Sequence, residues 1–493
     1  MNTLFVWPNI NQFGHKPISI SLLSALCKRE GHNVDLFDTT YIDLEKDTDT
    51  KIGELISMYK PVYFDSTFDK VKVDVNHEFL KKIKTFQPDI LAFSVLESEY
   101  PLACKLAETA KKNFPKIPIV IGNKAATICP EEVIAEKHYD FVCVGEGDEA
   151  FLELINAIDH DKNVFNIPNI WTKHNGKIIK NKVRALTRNL DSLPFLDLSI
   201  YDKRHFLIPF DGKKWRNLEF MSNWGCVYKC SYCVNEFLHN LNRESHSGFI
   251  RRFCPERAIK ELKFHKENYA INFIKFVDED FLMRSTLLLR EFARLYVKEV
   301  GLPFLIETNP RSVNKEKVEI LSEMGCVSVS MGVESGNSYT RSLLNRKDTK
   351  KDIIQAFELF HDAGIRSCSY IMLGLPFENR EKIFESIRLL KKAKVKVPSM
   401  GFFYPFKGTA IRDVCIKNGF FDPKNNNGWK RNEPGLDNLD ISRSELTAIF
   451  RNFVFYVKFP QIFWPLIKRT ELQDRLGQYI YSILAKVYRV IFY

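Results

Sequence analysis

The sequence lacks a run of apolar residues long enough to cross a bilayer. Its most apolar late stretch, FVFYVKFPQIFWPLI, is broken by Lys458, Pro460, Gln461 and Pro465. It falls short of the roughly 20 apolar residues a transmembrane helix needs, so it reads as a buried or substrate-facing helix pair, with surface attachment as the alternative. The opening MNTLFVWPNI carries neither a basic segment nor a small-residue cleavage site, which predicts no signal peptide. Neither G-x-G-x-x-G nor a P-loop lysine pattern occurs, which argues against nucleotide binding through either device. The net charge is +11, yet basic residues never form a pure run or a basic-aromatic stripe, so no nucleic-acid partner is expected. Eleven cysteines are an odd number and most are scattered through apolar patterns. That excludes a disulfide framework and predicts a reduced, cytoplasmic chain.

What is present is ordinary globular chemistry: 45% hydrophobic and 27% charged residues over 493 positions, enough for several domains. Residues 1–160 alternate apolar runs (TLFVWP, NVDLFD, DILAFSV, IPIVIG, DFVCVG) with amphipathic helical segments. Continuous apolar strands between helices predict a parallel sheet buried on both faces, a Rossmann-like doubly wound domain whose ligand edge is formed by the carboxyl ends of its strands. Residues 161–215 read as a hairpin and a proline-punctuated linker. Residues 216–410 repeat a strand–helix unit six times, which predicts a partial (β/α)6 TIM-type barrel with its functional loops at the carboxyl ends of the strands. Residues 411–493 read as a small helical C-terminal cap. The fold class is therefore α/β.

Cys226, Cys230 and Cys233 fall in SNWGCVYKCSYC, directly after the first barrel strand. A structural zinc ion would require a fourth ligand, and His239, His246 and Cys254 do not stand at the spacing for one. A four-iron cluster can be held at three irons by thiolates while the fourth stays open, and three thiols on one tight loop meet that demand. The flanking Gly, Lys, Asn and Ser residues are not those of a core.

CVYKCSYC resembles the C-x3-C-x2-C signature of radical S-adenosylmethionine (SAM) enzymes, with Tyr232 at the aromatic position before the third cysteine. FVDEDF (276–281), MGVESGN (331–337), LNRKDT (344–349), IMLGLPFEN (371–379) and YPFKGT (404–409) are similar to later motifs of that family in the same order. PDILAFSV, IPIVIGNKAAT and DFVCVGEGDEAFLEL resemble the cobalamin-binding half of its cobalamin-dependent members. Two departures stand out. GNKAAT replaces the family's glycine-glycine and histidine pattern at 122–127, and there is no D-x-H-x-x-G motif to supply a lower axial histidine to cobalt.

The resemblance implies a 4Fe–4S cluster on Cys226, Cys230 and Cys233, with S-adenosylmethionine held by Tyr232, Asp278, Glu279, Glu334, Ser335, Arg346 and Gly374. In that picture Arg346 pairs with the cofactor carboxylate in two-pronged fashion, and Gly374 lets backbone approach the adenine. It implies cobalamin at Ser94, Glu97, Gly122, Asn123, Thr127, Gly145 and Glu146. It also implies an electron donor such as flavodoxin or ferredoxin and a small-molecule or natural-product substrate. The expected reaction is methylation of an unactivated carbon. Cyclisation, ring contraction or oxidation on the same architecture is the alternative, and a non-enzymatic cobalamin sensor or carrier is the alternative of another class. No side chain is singled out as catalytic.

Overall fold

Leu4 and Val6 of the first strand point into one apolar layer while Phe5 and Trp7 point into another, as the two-residue period of a strand covered on both faces requires. The computed structural model describes residues 1–10, 14–44, 49–243, 248–424 and 428–492. Contacts divide the chain into two units, Met1–Thr48 with Tyr63–Leu207 and Phe237–Arg251, and Asp49–Val62 with Ile208–Glu236 and Arg252–Tyr493.

The first unit is built on one sheet. Its strands are β1 (Asn2–Trp7), β2 (Asn33–Asp38), β3 (Ile90–Ser94), β4 (Ile119–Gly122), β5 (Phe141–Cys143), β6 (Ile170–His174) and β7 (Lys177–Lys180), in the order β2-β1-β3-β4-β5-β6-β7. The first five are parallel, and the β6–β7 hairpin adds to β5 antiparallel. The hairpin that reads as part of a linker thus extends this sheet. The order 2-1-3-4-5 places a topological switch between β1 and β3 and a ligand edge at the strands' carboxyl ends. The stretch between Asp38 and Asp89, where the sequence shows no regular pattern, contains the helix Val75–Phe86. Only Val75, Phe79 and Ile83 of it are buried, a stripe too narrow to stand out among its polar residues.

The second unit carries β9 (Lys213–Phe220), β10 (Asn223–Trp224), β12 (Phe273–Phe276), β13 (Phe304–Thr308), β14 (Cys326–Glu334), β15 (Arg366–Leu373) and β16 (Val397–Phe402), with all but Leu207 of β8 (Leu207–Phe210) and Arg252 of β11 (Arg251–Arg252). Its main sheet runs β16-β15-β14-β13-β12-β9-β8, and the six strands from β9 to β16 are mutually parallel. Helices Pro255–Tyr269, Thr286–Glu299, Lys315–Glu323, Lys350–Asp362 and Arg380–Lys392 connect them. This is the expected half-barrel, in register with the sequence to within a few residues at each strand. The helix Arg443–Lys458 is buried along most of its length, and Phe450 stacks on Phe402 of β16 with centroids 4.7 Å apart. Residues 49–62 belong to this unit as well: the Tyr59 hydroxyl lies 3.4 Å from Ser399 Oγ, to which Arg431 Nη2 donates at 3.1 Å.

Candidate functional site

The loop after β9 is fixed at both ends before any ligand is considered. Asp278 accepts from the Asn223 amide at 2.6 Å and from Ser222 Oγ at 2.7 Å, anchoring the approach to Cys226. Farther on, Ser231 donates from its amide to the Leu344 carbonyl (3.1 Å) and from Oγ to the Leu343 carbonyl (2.8 Å). Asn345 Nδ2 donates to the Lys229 carbonyl at 2.6 Å. Cys226, Cys230 and Cys233 consequently line one cavity, together with Tyr232, Glu279, Glu334 and Arg346.

Burial pushes the Cys226 thiol up to about 12, and the carboxylates of Glu279 and Asp280 add to the shift. Burial raises Cys230 too, against the pull of the Arg346 guanidinium. Among the described residues no three His, Cys, Asp or Glu side chains converge on one point as a single metal ion would demand. Three thiols spread around a cavity fit instead a cluster that distributes its thiolate ligands over three irons.

Glu334 closes β14 with φ at +64°, just past a register shift against β15. That uncommon conformation for a non-glycine residue belongs to the cavity wall. The Tyr232 hydroxyl donates to Glu334 Oε1 at 3.0 Å. Burial raises the Glu334 carboxyl above the ordinary range, with Arg346 and the tyrosine bond opposing. Arg346, expected to meet the cofactor carboxylate, lines the cavity. Its Nε donates to Asp348 Oδ1 at 3.0 Å and its Nη2 to the Gly332 carbonyl, so two prongs of the guanidinium are engaged within the protein. Only Nη1, 3.5 Å from the Tyr232 hydroxyl, is weakly held.

Three more of the expected residues stand outside the cavity lining. Asp278 is fully buried and tied to Ser222, Asn223 and Arg284, so it braces the loop and does not line the cavity. Its neighbour Glu279 does line it. Ser335 is fully buried, and its Oγ accepts from the Asn337 amide in a local turn. Gly374, with φ at +74°, approaches the helix Arg443–Lys458: a Cβ there would lie 3.0 Å from Leu446 Cδ2. The sequence reading passed over Glu307 and Tyr370, which line the same cavity and hydrogen-bond at 3.2 Å. Glu307 stands at the end of β13, one strand over from the acidic motif, and that position was its only signal.

In the first unit, Ser94 and Gly122 are paired at the carboxyl ends of β3 and β4. Asn123 Nδ2 donates to Ser94 Oγ at 3.1 Å, and Asn123 Oδ1 accepts from the Lys124 amide at 2.8 Å. The Asn123 backbone sits at φ +74°, ψ −163°, a region that is nearly glycine-only. The asparagine thus reproduces the path a glycine would take. Thr127 Oγ1 accepts from the Gly145 amide at 3.1 Å, and Gly145 has φ at +87°. A Cβ on Gly145 would approach Asn169 Nδ2 to 3.1 Å. Glu97 opens a single helical turn, Glu97–Glu99, after β3. Glu146 is clasped by the Arg251 guanidinium, so its carboxylate is already engaged. Residues 94, 122–127 and 145 thus lie at or just beyond the carboxyl ends of β3, β4 and β5, with positive φ at residues 123 and 145.

The Radical SAM superfamily model matches residues 224–390, and the B12 binding domain model matches residues 12–155. An uncharacterized methyltransferase of Pyrococcus horikoshii is 24% identical over 414 residues, covering 83% of this chain and 87% of its own. The anaerobic magnesium-protoporphyrin IX monomethyl ester cyclase of Rubrivivax gelatinosus is 22% identical over 358 residues, covering 70% and 62%. Among solved structures, the radical S-adenosylmethionine methyltransferase TsrM from Kitasatospora setae, bound to tryptophan and a SAM analog, superimposes with a TM-score of 0.63 at 15% identity. It covers 87% of this chain and 79% of that one.

Proposed function

We propose a reaction for this chain from one premise: it belongs to the cobalamin-dependent radical SAM enzymes. The reading is methylation of an unactivated carbon in a small-molecule substrate. One observation carries it, the three cysteines opening on a single cavity with Glu279, Glu334 and Tyr232. When bound, a 4Fe–4S cluster with S-adenosylmethionine supplies hydrogen abstraction from an unactivated carbon, and cobalamin supplies the methyl carrier.

The protein's part is to bind, orient and shield. Cys226, Cys230 and Cys233 would hold the cluster and leave one iron open. Glu334, oriented by Tyr232 and by its own strained backbone, presents an acceptor for the cofactor's hydroxyl or ammonium groups, and Glu279 presents a second. Arg346 contributes charge and a single donor, Nη1. In the first unit, the backbone of residues 94, 122–127 and 145 would hold cobalamin, with Asn123 in place of a glycine. A flavodoxin- or ferredoxin-type donor would supply the reducing electron.

The test is anaerobic reconstitution with cobalamin, then incubation with methyl-labelled S-adenosylmethionine and a candidate substrate pool. Release of 5′-deoxyadenosine with label in a carbon product supports methylation. Release of 5′-deoxyadenosine with no label transfer would move the assignment toward the chemistry of the cyclase relative. Absence of both would overturn the reading.

A further inference from the structure

The last described helix, Arg475–Phe492, contains no aspartate or glutamate and carries three cations, Arg475, Lys486 and Arg489. One face is buried through Gly477, Leu484, Ala485 and Tyr488, with Tyr488 packed on Phe455 at 5.8 Å between centroids. A second stripe, formed by Leu476, Tyr479, Ile483, Val487, Val490 and Ile491, is solvent-exposed, from 40% at Val487 to 86% at Val490. At about 100° per residue these six positions fall on one side of the helix. The three cations lie together along one flank of that stripe.

The short helix Trp464–Thr470 and the turn before it, which belong to the same region, expose Leu466 (41%) and Ile462 (83%). An exposed apolar stripe of this kind marks an interaction site. Among the described residues no helix is long and apolar enough to cross a membrane.

We propose that this face lies on an anionic phospholipid surface, with the apolar stripe in the headgroup–acyl boundary and the basic flank against the headgroups. The combination of an apolar stripe and a flanking row of cations without acids is the pattern of an interfacial helix, and it supplies the two signals that stable surface attachment needs. Charge decides between this occupant and a second copy of the chain. An antiparallel two-fold contact through the stripe would bring the cations Arg475, Lys486 and Arg489 of both copies to the same side, whereas anionic headgroups complement them.

The experiment is co-sedimentation of the full-length protein with vesicles of phosphatidylcholine alone and of phosphatidylcholine with phosphatidylglycerol at equal parts. The protein should pellet with the anionic vesicles and be released by raised salt. Ile483→Glu with Val487→Glu should abolish the binding. Lys486→Ser with Arg489→Ser, which leaves the packed face untouched, should weaken it on the order of tenfold, with iron content and circular dichroism unchanged. Failure of the native protein to bind anionic vesicles overturns the proposal, as does binding that neither pair of substitutions alters. A homodimer in analytical ultracentrifugation that Ile483→Glu with Val487→Glu dissociates, without vesicle binding, would assign the face to a second copy and overturn it equally.

Discussion

At the carboxyl edge of the first sheet the candidate residues bond largely to one another, Ser94 to Asn123 and Thr127 to the Gly145 amide. At the carboxyl ends of the second sheet they present reactive side chains to a cavity, three thiols and the carboxylates of Glu279 and Glu334. The first edge offers backbone shape, with positive φ at residues 123 and 145. The second offers functional groups. A ligand that is large and preformed can be gripped by a cradle of loops, whereas a cluster must be bonded atom by atom. The two edges therefore differ in which substitutions they tolerate.

The largest effect is expected where bonds to iron are made. Replacing Cys226, Cys230 and Cys233 together by alanine should remove the cluster's visible absorbance and bring iron content to background, ending 5′-deoxyadenosine release. Cys254→Ala should leave both intact. That cysteine caps the helix Pro255–Tyr269, with its Sγ accepting from the Arg257 amide at 3.4 Å, and losing such a cap costs about 1 kcal/mol of stability. Iron retained by the triple variant would place the cluster elsewhere.

Next comes the hydrogen-bonding wall. Glu334→Gln keeps shape and removes charge, so it should weaken S-adenosylmethionine binding about tenfold or more, the usual loss for a charge-assisted bond. Cluster assembly should be unaffected, because Glu334 touches Tyr232 and not the cysteine loop's anchors. Calorimetric titration of the reconstituted protein separates the two readouts. Unchanged affinity would remove Glu334 from the cofactor site.

The first edge should respond to conformation and not to charge. Asn123→Gly suits φ +74°, ψ −163° and should keep cobalamin, while Asn123→Val forces a β-branched residue into that region, a strain of about 1–3 kcal/mol. Cobalamin content after reconstitution, read from absorbance, should therefore fall in the valine variant alone. Equal loss in both would show that the side-chain bonds to Ser94 and Lys124 matter more than the backbone path.

The same contrast explains what was legible in the sequence. Strand positions and the cysteine loop follow from apolar runs and spacing, which are local. Direction is not local. Asp278 and Glu279 are adjacent in an acidic motif, yet past the end of β12 the chain turns at Glu279, so one braces the Ser222–Asn223 turn while the other lines the cavity. Gly374 reads as a place for a ligand to approach, but its close neighbour is Leu446, 72 positions later in the chain. Glu307 and Tyr370 meet only because β13 and β15 flank β14, a juxtaposition no motif encodes. The helix Arg475–Phe492 escaped attention because its apolar stripe is interrupted every few residues by polar ones, unlike the denser aromatic stretch before it.

The smallest effect concerns the turn that Gly374 makes. Glu378 is fully buried there, and its Oε2 accepts from the amides of Gly374 (2.7 Å) and Leu375 (3.2 Å). Burial pushes its carboxyl up to about 8, outweighing those two amides and Lys382. The folded protein therefore keeps a proton on Glu378 at pH values where the unfolded chain, with an ordinary glutamate near 4.3, has lost it. The sign follows from linkage: this group's contribution to stability is complete below about pH 4 and declines as the pH rises through 8. Glu378→Gln retains an acceptor for both amides and has no proton to lose, so its unfolding temperature should fall less than the native protein's between pH 5 and 8. The two curves should diverge steadily across that range, the native protein losing more. Parallel curves would mean that Glu378 is ionised in the native state. The turn would then be held by a buried charge instead of a neutral carboxyl, and the contrast between a charged cavity wall and an uncharged structural turn beneath it would disappear.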